Sequence, residues 1–202
     1  VPAWWQNKWV IGGAAAGLGL FLARKVFGSP KIGAVIRAPG LEDYYITEDD
    51  LLWLGRSIQC ESGSEEAAHA WVLIQRFCAL RQQSPATWGN KSFGYLIQAF
   101  SSPVNYRWLP GGSLYEANPD HRAASEPAQA LRRRCMALEP EAFRPAVKSV
   151  LNAVRASSLH NPVPGYTNFN ASDGEPCPSG AVNVGGNCFI ASPPVEGPVE
   201  LV

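Results

Sequence analysis

Glu61 stands where a predicted helix over 47–60 gives way to the small, polar stretch Glu61-Ser62-Gly63-Ser64. Leu51, Leu54 and Ile58 form one apolar stripe on that helix, and position 61 is the next on the same face. A carboxyl group carried there is directed at the core or a cleft. Burial disfavours the charged form, so such a group keeps its proton near neutrality and can deliver it as a general acid. An exposed glutamate at a helix end is the competing reading. Glu65 and Glu66 begin the next predicted helix, where acids satisfy the helix dipole. If either faced Glu61 across a cleft, the pair would do two-carboxylate chemistry instead.

Other chemistries find little footing. Lys+Arg and Asp+Glu both number 17, so the formal net charge is zero, and the basic excess that nucleic-acid binding needs is missing. The dense basic run Arg132-Arg133-Arg134 falls opposite an inner stripe of Ala128, Leu131, Cys135 and Leu138, and reads as a solvated helix face. His69, His121 and His160 are scattered without metal-ligand spacing, and no Cys-x-x-Cys pair occurs, so neither a metal nor a cofactor is expected. His69 lies off the inner stripe of its helix and is expected to be exposed. Cys60, Cys78 and Cys135 sit in apolar helical contexts and read as small buried hydrophobes. Cys177 and Cys188 flank a turn-rich loop that a disulfide would close in an oxidising space.

The elements that must position Glu61 follow from pattern. Residues 9–23 are fifteen without a charge, a helix of roughly 22 Å if regular. With Arg24 and Lys25 snorkelling, residues 9–27 suit contact with a membrane or a protein assembly, and the segment 1–28 is read as that anchor. Gly13-x-x-x-Gly17 inside it favours close helix packing. Basic residues cluster after this segment, which under the positive-inside tendency would keep the remainder cytoplasmic. Residues 29–46 read as a Pro/Gly-punctuated linker. Thr47 and Asp50 then make an N-terminal cap. Further helices are predicted over 65–82, with Ala67, Ala70, Trp71, Ile74, Phe77 and Cys78 inward, and over 93–99. Ser125 and Pro127 open another, and Pro140 one more, with Phe143, Val147, Val150 and Val154 inward. From 161 the chain is loop with short strands, ending over 192–202 in a Pro-rich tail, disordered or docked. The fold class is mainly α, of α+β type, with a small irregular or β C-terminal part.

Four blocks in order resemble the SleB-type cell-wall hydrolases, lytic transglycosylases related to spore-cortex lytic enzymes and phage murein hydrolases. The first is Ile58-Gln59-Cys60-Glu61-Ser62-Gly63-Ser64-Glu65 with Gln75-Arg76 closing the next helix. Ala99-Phe100-Ser101-Ser102-Pro103-Val104-Asn105 is similar to the second and Asn161-Pro162-Val163-Pro164-Gly165-Tyr166-Thr167-Asn168-Phe169 to the third. Val184-Gly185-Gly186-Asn187-Cys188-Phe189 is similar to the fourth. The chain departs from the pattern where Ala99 replaces a glutamine, Asn187 a histidine and Asn168 a histidine or tyrosine; the first block is also about a helical turn shorter.

The resemblance implies a lysozyme-like catalytic domain over 47–191 that cleaves MurNAc–GlcNAc bonds of peptidoglycan glycan strands with a single acid, Glu61. Ser101, Ser102 and Asn105 would position a sugar or orient the carboxyl, or else cap and turn the chain around Pro103. Tyr166, Asn168 and Phe169, with Asn187, would line the substrate, or else pack a Pro-Gly turn into the core. Tyr106 and Trp108 are further candidates for a stacking platform. With the apolar segment, the implied setting is a phage particle, in its tail, ejection complex or internal membrane, opening the wall during genome entry. Two other expectations stand beside it: an assembly protein that keeps the fold and grips glycan without turnover, and a hydrolysing muramidase.

Overall fold

The computed structural model describes residues 30–101, 104, 126–171 and 176–202. The apolar segment 1–28 lies outside them; among the described residues no helix is long and apolar enough to cross a membrane. Lys31–Val202 forms one compact unit of helices with two small antiparallel sheets, an α+β arrangement.

Helix α1 (Glu48–Glu61) starts where the sequence says it must. Thr47 Oγ1 accepts from Asp50 N at 3.2 Å, and Asp50 Oδ2 accepts from Thr47 N at 2.9 Å, a capping box with three acids in the first turn. Helix α2 (Glu66–Gln83) runs through the centre of the unit. Two short helices follow, α3 (Pro85–Trp88) and α4 (Phe93–Phe100). The core gathers Leu54 and Ile58 of α1, Ile74 and Phe77 of α2, and Phe93, Leu96 and Ile97 of α4.

The next described helix is α5 (Glu126–Met136), followed by a 3-10 turn at Pro140–Ala142 and by α6 (Pro145–Arg155). The expected helix from Pro140 is therefore divided. Pro145 disfavours helical backbone at the residue before it, and Arg144 is extended at ψ 152°. Its inward positions hold nonetheless: Phe143, Val147, Val150 and Val154 are all buried. Gly55 lets α1 approach this region, since a Cβ there would run into the Phe143 ring.

The described part of the expected linker, residues 30–46, is structured: it holds β1 (Lys31–Arg37) and all but the last residue of β2 (Tyr44–Thr47), paired antiparallel, with Ala34, Val35, Ile36 and Ile46 buried. The Pro/Gly punctuation marks the turn between strands. The C-terminal tail is docked: β6 (Glu200–Leu201) adds to the other edge of β1, and Val35 and Val202 exchange backbone hydrogen bonds at 2.7 and 2.9 Å. Gln82 at the end of α2 holds the tail through Glu196 N and Glu196 O. The second sheet has the order β3 (Asn168–Ala171), β5 (Asn187–Ile190), β4 (Val182–Val184). Gly185 and Gly186 turn β4 into β5 with φ of 56° and 85°, values that favour glycine at both central positions of a hairpin turn.

Candidate active site

Glu61 is the last residue of α1 and lines a groove of about 450 Å³. The groove is walled by Val72, Leu73 and Arg76 of α2, by Phe100 and Ser101 at the end of α4, and by Asn168, Phe169 and Asn170 of β3. Among the described residues, Glu61 is the one carboxylate in that lining and Arg76 the one cation.

Ser101 Oγ donates to Glu61 Oε1 at 2.6 Å. Ser101 Oγ also lies 2.6 Å from Ser57 Oγ. A hydroxyl has one hydrogen to give, so the bond to Glu61 fixes the direction of the other: Ser57 donates to Ser101. Both serines are buried. Ser57 sits one helical turn before Glu61 on the same face, so the relay begins and ends on α1 and passes through the C-cap of α4.

Three further devices hold the chain around Glu61. The Arg144 guanidinium bonds Ser62 O at 2.7 Å and Gln59 O at 3.4 Å, carbonyls at the α1 terminus. The same Nη2 pairs with Glu66 Oε1 at 3.3 Å. A disulfide joins Cys60, the peptide neighbour of Glu61, to Cys135 of α5. Cys60 and Cys135 are thus cross-linked rather than free hydrophobes, while Cys78 is a buried thiol. The expected Cys177–Cys188 disulfide is present, and Cys188 pairs in register with Asn170 of the groove wall.

In the same lining as Glu61, the Arg76 guanidinium lies over Phe100 at 4.4 Å and reaches Asn168 Oδ1 at 3.4 Å. Burial pulls the Arg76 pKa down, and attraction to the Glu61 carboxylate, when that group is ionised, opposes the shift. Gln75, the neighbour of Arg76, is buried and uses its whole amide to hold the loop before β3. Its Nε2 donates to Val163 O at 2.9 Å and Tyr166 O at 2.7 Å, and its Oε1 accepts from Gly165 N at 2.6 Å and Asn161 Nδ2 at 3.3 Å.

Of the residues singled out by sequence, the structure brings Glu61, Ser101, Asn168 and Phe169 to one groove. Ser102, Asn105, Tyr106 and Trp108 lie outside the described residues. Tyr166 and Asn187 are not in the lining. Tyr166 packs against the core, and Asn187 Nδ2 lies 3.5 Å from Glu65 Oε2. Glu65 and Glu66 do not line the groove beside Glu61; Glu65 is held by Ser64 and abuts Gly185. His69, expected to be exposed, is buried at 2% exposure, because α2 is surrounded on nearly all sides. Arg133 and Arg134 are exposed and Cys135 is buried as expected, but Arg132 is half-buried and Leu131, expected on the inner stripe, is exposed, so the face is rotated from the one the sequence suggested. Sequence reasoning missed Ser57, whose signal was its place one turn before Glu61, and the place of Arg76 in the groove lining, seen only as part of a block.

No family model, curated protein or solved structure matches this chain.

Proposed function

We propose that the chain is a lytic transglycosylase that cleaves the MurNAc–GlcNAc bond of peptidoglycan strands with Glu61 as the one acid–base residue, on a lysozyme-like helical domain. Glu61 in its acid form gives its proton to the bridging oxygen as the C1–O bond breaks. The GlcNAc side leaves with a neutral hydroxyl, and positive charge develops at C1 of the muramic ring. The carboxylate then takes the proton of the muramic C6 hydroxyl as that oxygen attacks C1, closing a 1,6-anhydro ring and restoring the acid. No water is consumed.

One observation carries this reading: a groove whose described lining holds a single carboxylate, fixed at one oxygen by the Ser101 hydroxyl at 2.6 Å. Hydrolysis with inversion or retention normally uses two carboxyl groups flanking the bond, and the neighbouring acids Glu65 and Glu66 are engaged elsewhere. The aromatic faces of Phe100 and Phe169 and the amides of Asn168 and Asn170 suit sugar rings and acetamido groups. The uncharged stretch 9–23 supports a setting in a phage particle that carries the enzyme to the wall.

The test is digestion of purified sacculi followed by mass spectrometry. Products ending in 1,6-anhydromuramic acid are expected, with none from Glu61→Gln. Reducing muramic ends would assign the protein to the hydrolysing muramidases. A parent protein that binds sacculi and releases nothing would make it a glycan-gripping assembly component.

A further inference from the structure

We infer that the groove reads a carboxylate on its glycan through Arg76 with Asn168 beside it, so that its substrate is strand material whose muramic lactyl group is a free acid. This rests on the reading of the groove as a glycan-cleaving site. A guanidinium carries five N–H donors. Here a single donation is made to a described residue, Nη1 to Asn168 Oδ1 at the long distance of 3.4 Å. Arg76 Nε is buried without a partner, and one face of the guanidinium is covered by Phe100. Burial makes such a cation costly to keep charged; an ionised Glu61 in the same lining offsets part of that cost, and a ligand anion on the unused donors would offset more. Asn168 Oδ1 is already used, accepting from Arg76 and from Phe169 N at 3.0 Å. The end of this amide left for a ligand is therefore its NH2. The Arg76–Asn168 pair thus offers a ligand donors alone, one of them a planar fork that fits a carboxylate.

In a glycan strand the pyranose hydroxyls and acetamido groups are neutral. The lactyl ether is the acidic substituent of the very ring whose C1 bond Glu61 would break. It is a neutral amide while a peptide stem is attached and a carboxylate once the stem is removed. A phosphate at C6 would also be anionic, but it would occupy the hydroxyl that must attack C1. The class of reaction that supplies this substrate is therefore hydrolysis of the lactyl amide, in which water adds and a carboxylate and a peptide amine are released. Stem-peptide carboxylates are the other source of the same chemistry, and the test separates them.

The test compares three soluble strands: peptide-free with the free lactyl acid, peptide-free with the acid converted to its methyl amide, and peptide-bearing. The parent is expected to cleave the free-acid strand with a kcat/KM at least tenfold above the methyl amide. Arg76→Gln should lose about ten- to a hundredfold on the free acid and at least tenfold less on the methyl amide, and Arg76→Lys should recover part of the loss. Equal rates on free acid and methyl amide, or equal losses on both in Arg76→Gln, overturn the inference. Fastest cleavage of peptide-bearing strands overturns the lactyl assignment. Binding separates this from failure of the catalytic reading: Glu61→Gln should hold the free-acid strand at least tenfold more tightly than Glu61→Gln/Arg76→Gln, whether or not the parent cleaves. Equal binding by the two variants refutes the anion site.

Discussion

Ser57 and Ser101 share a hydrogen bond of 2.6 Å between residues 44 apart in sequence, and Asp50 Oδ1 accepts from Gly94 N at 2.7 Å across the same interval of 44. Helices α1 and α4 therefore run side by side in the same direction, pinned at one end by Asp50 and at the other by the serines. Glu61 inherits its position from that pairing. Removing the Ser101 hydroxyl takes a donor from the carboxyl, and removing that of Ser57 takes the donor that sets the direction of Ser101. Ser101→Ala is expected to lower kcat by about ten- to a hundredfold, since hydrogen bonds to charged groups contribute about 1.5–3 kcal/mol. Ser57→Ala should lower kcat less, with KM little changed in both, and Ser57→Thr should restore most of the loss. Steady-state release of anhydro-muropeptides measures this; a rise in KM with kcat unchanged would place the serines in substrate binding instead.

Asp50 sets the other end of the pairing. It is buried and accepts from Thr47 N, Thr47 Oγ1, Tyr44 OH and Gly94 N, so it caps α1 and satisfies an amide in the first turn of α4 at once. Asp50→Ala strands several buried donors and is expected to destabilise the fold by about 3 kcal/mol or more. Urea unfolding measures it. A change below about 1 kcal/mol would mean that water replaces the carboxylate at little cost.

Local signals made α1 legible in the sequence. Thr47 and Asp50 announce its start, and Leu51, Leu54 and Ile58 give its face, from which the place of Glu61 followed. Where the partner is distant, the sequence was silent. Ile36 of β1 pairs with Leu201, at the far end of the chain, and Cys60 bonds Cys135 across 75 residues. His69 was misjudged for a different reason. A stripe separates inside from outside only on a half-exposed helix, and on α2 Ala68 through Gln75 are all buried. Tyr166 and Asn187 shared blocks with groove residues but belong to the supports, facts of tertiary placement that spacing does not carry.

Each of the two disulfides fastens a segment of the groove lining. Cys60 precedes Glu61, and Cys188 pairs with Asn170. The remaining described thiol, Cys78, is buried, and burial pushes it up to about 12, so it takes no ready part in exchange at neutral pH. Replacing both Cys60 and Cys135 by serine frees a loop of 75 residues in the unfolded chain and is expected to cost about 4.5 kcal/mol in the chain-entropy account. A reductant at neutral pH should lower the melting temperature of the parent and abolish glycan cleavage before the helical circular-dichroism signal is lost. Full activity of the fully reduced parent would show that neither cross-link is needed to shape the groove.

His69 supplies the pH dependence of stability. Its ring packs edge-on against Phe169 at 4.2 Å and near Phe189 at 6.1 Å, its Nδ1 lies 3.1 Å from Glu65 O, and its Nε2 is buried without a partner. Burial pulls its pKa below the ordinary histidine value, with the Glu65 backbone and the charges of Glu65 and Glu66 opposing that shift. Below about pH 6.5 the unfolded chain therefore binds a proton that the folded chain refuses. The contribution is fully present above that pH and is lost as pH falls toward the folded value, with a slope of up to about 1.4 kcal/mol per pH unit. Unfolding free energies measured between pH 7.5 and 5 should fall more steeply for the parent than for His69→Phe, which keeps an aromatic ring and cannot titrate. Parallel curves for the two proteins would assign the acid sensitivity to other groups and leave the His69 ring a packing element beneath the groove wall.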